Sequence, residues 1–88
     1  MSNAACYTQR EIQQQQRELN TITADQDRLR KNLKEMPPEA AAYKRYLKKF
    51  DEQETEIERL QKLIKELQEG EHAQRKEYEN FLANLTAE

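Results

Sequence analysis

Residues 36–39 of this 88-residue chain read Met36-Pro37-Pro38-Glu39, and they separate two stretches of matching pattern. Before them, alternating steps of three and four visit Ile12, Gln15, Leu19, Ile22, Gln26, Leu29, Leu33 and Met36, six of them apolar. After them the same steps visit Tyr43, Tyr46, Phe50, Gln53, Ile57, Leu60, Ile64 and Leu67, seven of them apolar. A three-four repeat is the stripe that a coiled-coil helix buries. Proline lacks a backbone donor and pushes the residue before it out of the α region, so the chain should stop and turn here. Pro38 fits the first turn of a second helix.

Folding the chain back at the prolines pairs Met36 with Tyr43, Leu33 with Tyr46 and Leu29 with Phe50, each pair of numbers summing to 79. The same sum pairs Gln26 with Gln53, Ile22 with Ile57, Leu19 with Leu60, Gln15 with Ile64 and Ile12 with Leu67. Two polar lapses, Gln26 and Gln53, fall opposite each other. A Gln–Gln layer gives each amide a partner inside the seam and penalises slipped registers; the plainer alternative is that Gln tolerates a half-wet seam. The expected fold class is all-α, an antiparallel two-helix coiled-coil hairpin with its turn at Met36-Glu39 and its second helix longer than its first.

The expected boundaries are 1–4 as an expression-tag remnant, 5–36 as the first helix, 37–39 as the turn and 40–86 as the second helix. Thr8-x-x-Glu11 has capping-box spacing, which places the first helix start near Thr8, although the helix could equally run back into residues 1–4. Asn20-Thr21-Ile22-Thr23 is its weak stretch, because β-branched residues lower helix propensity. Glu58–Lys62 and Lys65–Glu69 are spaced as i,i+4 ion pairs. Gly70 either ends the second helix as a left-handed cap or is absorbed into it. The repeat runs past it without a slip through Glu71, Gln74, Tyr78, Phe81 and Leu85, which favours a single long helix.

Composition limits function. Charged residues make up 36% and apolar residues 35% of the chain, and the mean hydropathy is -1.26. Disordered segments and coiled coils share such values, and only the latter need regular apolar spacing. No run of about 20 apolar residues exists to span a membrane. One Cys makes neither an internal disulfide nor a zinc cluster, and one Gly makes no glycine-rich phosphate loop.

The net charge of -2 conceals a polarity. Arg28, Arg30, Lys31, Lys34, Lys44, Arg45, Lys48 and Lys49 cluster near the turn, opposed within residues 28–50 only by Glu35 and Glu39. This basic tip is a candidate surface for nucleic acid or an anionic membrane. It is also what a helix C-terminus favours by itself, and the neighbouring Tyr43, Tyr46 and Phe50 occupy seam positions rather than a stacking platform. Leu63, Tyr78, Phe81, Leu82 and Leu85 are the self-association candidates. A two-stranded seam buries each side chain only in part and small scaffolds need a partner, so a homodimer or four-helix arrangement is expected.

No catalytic, cofactor-binding or metal residues are assigned. Glu69-x-x-His72 has the spacing of helical carboxylate–histidine metal sites, but the first helix supplies no further His and Gly70 interrupts the motif. Cys6 has no nearby His to activate it. The run Asp51, Glu52, Glu54, Glu56 and Glu58 reads as a solvated face, because a coiled coil offers no pocket in which to shift a carboxylate.

Two stretches, DQDRLRKNLK at 25–34 and YKRYLKKFDEQETEIERLQ at 43–61, carry a resemblance through Gln26, Arg28, Arg30, Asn32, Leu33, Arg45, Tyr46, Leu47, Gln53 and Glu54. They resemble the C-terminal helical-hairpin region of large bacterial proteins of unknown function related to the mucoidy-inhibitor family. The resemblance covers about half of the chain. It implies a bacterial source and an accessory coiled-coil module, and it brings no activity and no catalytic residues. The expected function is a spacer or protein-interaction module that contacts neighbouring domains of a larger parent. The alternative is an anion-binding arm acting through the basic tip.

Overall fold

The computed structural model describes the backbone from Ser2 to Thr86 and the side chains from Thr8 to Thr86. It contains two helices, α1 (Ser2–Glu35) and α2 (Ala41–Thr86), packed against each other as an antiparallel hairpin. The molecule measures 75 × 15 × 14 Å, with a radius of gyration of 20.6 Å. A compact chain of this length would have a radius near 12 Å. This is a rod one helix pair thick.

The connection between the helices is one residue longer at each end than the 37–39 that the sequence suggests. α1 ends at Glu35, because Met36 precedes a proline and leaves the helical region. The Ala40 amide donates to the Pro37 carbonyl at 3.0 Å, which closes a β-turn with Pro38 and Glu39 at its centre. Among the described residues none has a positive φ, so the turn needs no glycine, and Pro38 supplies the φ that its first central position prefers. Pro38 therefore sits one turn ahead of α2 rather than in its first turn. The Tyr43 amide then donates to the Ala40 carbonyl at 3.0 Å and opens the helix.

At the other end α1 begins at Ser2, so Thr8 is inside the helix and not its cap. Adding a residue to an existing helix costs far less than nucleating one, so capping-box spacing alone does not start it there. The weak stretch holds as well. Thr21 and Thr23 donate their hydroxyls to the carbonyls of Arg17 and Leu19 at 3.0 and 2.8 Å and stay helical. Gly70 lies within an unbroken α2, where it costs about 1 kcal/mol relative to alanine. A Cβ there would meet nothing within 4 Å, so packing does not demand the glycine.

All sixteen seam positions from Ile12 to Leu67 are buried or half-buried. Leu29 and Leu60 are fully buried, Gln26 is 5% exposed and Ile64 is 7% exposed. Tyr43, Tyr46 and Phe50 belong to this seam and are half-buried, as their spacing indicates. Beyond Glu71 every described side chain of α2 is exposed. Among the described residues no helix is long and apolar enough to cross a membrane.

Candidate interaction surfaces

Gln26 and Gln53 share a layer, but their amides do not bond to each other. Gln26 Nε2 donates to Glu54 Oε1 at 2.5 Å, and Gln53 Nε2 donates to Asp25 Oδ2 at 2.6 Å. Each glutamine thus reaches across the seam to the carboxylate beside its opposite number. A carboxylate is the stronger acceptor, and Asp25 and Glu54 lie half-buried at the edge of the seam. Sequence reasoning missed these two acids. The signal was present: Asp25-Gln26 on one strand faces Gln53-Glu54 on the other, an arrangement that reads alike from both ends.

Asp25 uses both oxygens. Arg28 Nε donates to Oδ1 at 2.9 Å while Gln53 takes Oδ2. The Arg28 guanidinium first, and then the Gln53 amide, hold the Asp25 carboxyl below its ordinary range. Glu56 is lowered in the same way by the Arg59 guanidinium. Among the described residues the ion pairs are Arg28–Asp25, Arg30–Asp27, Arg59–Glu56 and Arg75–Glu71. The expected Glu58–Lys62 and Lys65–Glu69 pairs do not close to 4.0 Å. Arginine's planar fork holds a carboxylate at i,i+3 or i,i+4 spacing, whereas a solvated lysine head gains little from doing so.

The turn end gathers the eight cations named above, and all eight are exposed. Arg28 and Arg30 lean back onto Asp25 and Asp27. Arg30 also lies over the Phe50 ring, 5.6 Å from its centroid. Among the described residues no carboxylate approaches Lys31, Lys34, Lys44, Arg45, Lys48 or Lys49 within 4.0 Å. Just below the tip stands the acidic run from Asp51 to Glu58. Its charge sets a boundary that a polyanion lying along the rod would not cross.

The opposite end is apolar. Tyr78, Phe81, Leu82 and Leu85 are exposed by 44, 59, 42 and 60%. Their spacing of three, four and seven places them on one face of α2. Leu63 is half-buried beside the seam and belongs to the hairpin more than to the outer surface. Leu47, 45% exposed, is the remaining large apolar side chain open at the tip. Between tip and stripe a shallow groove of about 480 Å³ opens where Gln9, Ile12, Glu71, His72 and Arg75 meet. Gln9 bridges it to Glu71 at 3.2 Å.

Glu69 and His72 are exposed, and among the described residues no three His, Cys, Asp or Glu side chains converge on a point. The Cys6 side chain lies outside the described residues. Comparison of the chain with family models, curated proteins and solved structures finds no match. What the surfaces can do is therefore argued from their chemistry.

Proposed function

We propose that the chain is a non-catalytic coiled-coil spacer and protein-interaction module, one part of a larger bacterial protein whose neighbouring domains it holds apart or joins, and that it self-associates. The observation that carries this reading is the division of α2. Residues 41–71 use their apolar face on α1, whereas Tyr78, Phe81, Leu82 and Leu85 continue that face into solvent. A rod with a closed seam and an open apolar end is suited to setting a distance and meeting another helix. The bacterial parent rests on the resemblance of residues 25–34 and 43–61 alone.

A spacer must keep its length. Small-angle X-ray scattering of the dilute chain is expected to give a radius of gyration near 20.6 Å. A value near 29 Å, that of an unfolded chain of this length, or near 12 Å, that of a globule, would remove the reading.

The exposed, largely unpaired cations of the tip favour a second reading, an anion-binding arm for nucleic acid or an anionic membrane. It predicts binding that weakens steeply with salt, by roughly 10³-fold between 50 and 200 mM if six phosphates are contacted. Reversing Lys44, Arg45, Lys48 and Lys49 to Glu should abolish it. No binding by the unaltered chain to oligonucleotides or anionic vesicles at low salt discards this reading.

A further inference from the structure

The cations of the turn end do not form a stripe. At about 100° per residue, Lys31 and Lys34 fall on the side of α1 turned away from its seam residues Leu29, Leu33 and Met36. Lys44, Arg45 and Lys48 fall on the side of α2 turned away from Tyr43, Tyr46 and Phe50. The helices meet seam to seam, so these two sets point in opposite directions. All five side chains are exposed, and among the described residues none has a carboxylate within 4.0 Å. We propose that the turn end inserts into a cleft of a folded RNA, with Lys31 and Lys34 on the phosphates of one wall and Lys44, Arg45 and Lys48 on those of the other. The proposal rests on the anion-binding reading of the tip, and it names the ligand and the mode of contact.

The arrangement of charge selects a cleft over a flat surface. A flat anionic leaflet touches one flank of a rod. Asp51 and Glu58 repeat the heptad position of Lys44, Glu52 repeats that of Arg45, and Asp27 repeats that of Lys34. Each outer face therefore changes sign one heptad in from the tip, and a rod lying on a leaflet would press those carboxylates against it. A rod standing on end would present the exposed Glu39 of the turn first and leave both cation sets facing sideways. Walls on two sides use both sets at once.

Depth selects the kind of nucleic acid. Lys48 lies seven residues into α2, about 10 Å from its start, and Asp51 lies about 15 Å in. Phosphates flanking the first ~10 Å meet only the cations, and deeper insertion meets the acids. The major groove of B-form DNA is only about 8.5 Å deep, and the ~12 Å width that admits one helix does not admit two abreast. The A-form major groove is narrower still. A wider, deeper cleft between backbones forms where strands diverge, at a junction or large internal loop of folded RNA.

Fluorescence anisotropy with four probes tests this: a three-way-junction RNA, a B-form DNA duplex, an unstructured oligodeoxythymidine, and phosphatidylserine-containing vesicles. The expected result is tightest binding to the junction RNA. Lys31→Gln/Lys34→Gln and Lys44→Gln/Lys48→Gln should each weaken it on the order of 10²-fold at about 50 mM salt, and each should make the slope of log affinity against log salt shallower by about 2. Their circular dichroism should match that of the parent chain, because the replaced side chains are exposed and hold no carboxylate. Equal binding to the duplex or the oligodeoxythymidine, binding to the vesicles alone, or a loss confined to one of the two double variants overturns the proposal while leaving the anion-binding reading in place. No binding to any of the four probes discards both.

Discussion

Leu60→Ala is expected to unfold most of the hairpin at 25 °C. Leu60 is fully buried and belongs to the layer of Leu19, in a seam where only Gln26, Leu29 and Ile64 are comparably enclosed. Truncating a buried leucine costs about 2–5 kcal/mol, because the lost transfer energy is joined by a cavity that the surroundings fill only in part. Folded domains hold about 0.05–0.15 kcal/mol per residue, and a rod this thin lies at the low end of that range. One such loss removes most of the margin. Separated helices are marginal in water, so helix content should fall with the pairing. Circular dichroism at 222 nm should drop by more than half. Leu47→Ala, at an exposed position, should change the signal little, and equal losses in the two variants would show that the seam is not where stability resides.

Gln15→Leu is expected to act in the opposite direction, raising the melting temperature by about 5–10 °C. Gln15 stands in the seam at the layer of the buried Ile64. Its Nε2 bonds Glu11 within the same helix at 3.3 Å, while its Oε1 is buried without a partner. A buried unsatisfied acceptor costs about 1–3 kcal/mol, and leucine removes it while adding apolar contact. For a domain of this size each kcal/mol moves the midpoint by about 4–8 °C. Gln53→Leu should gain less. Its Oε1 is likewise orphaned, but the substitution also deletes the bond to Asp25. An unchanged midpoint for Gln15→Leu in a thermal melt would mean that water already satisfies the carbonyl.

The sequence carried the pairing because pairing depends on spacing alone. The sum of 79 that sets Gln26 against Gln53 is bracketed by the observed bonds 25–53 and 26–54. It did not carry the atoms. Choosing carboxylates over amides depends on how far Asp25 and Glu54 stand from the seam axis, which the three-four repeat does not specify. The start of α1 was left open between Thr8 and the residues before it for a related reason: a cap shows where a helix is able to begin, and a helix already nucleated runs past it. The ion pairs went to arginine instead of lysine because exposed pairs differ by only tenths of a kcal/mol. The basic tip and the apolar stripe were both legible, since exposure follows from the heptad once the seam is assigned.

The shape has a mechanical corollary. With 75 Å of length on a 15 Å width, the molecule would act as a lever if its apolar end were held, with the proline turn as the moving end. A swing of a few degrees where the apolar end is anchored carries that turn through a distance on the order of 5–10 Å. Small adjustments at such an anchorage would be magnified into large excursions of the arginines and lysines that the turn end bears.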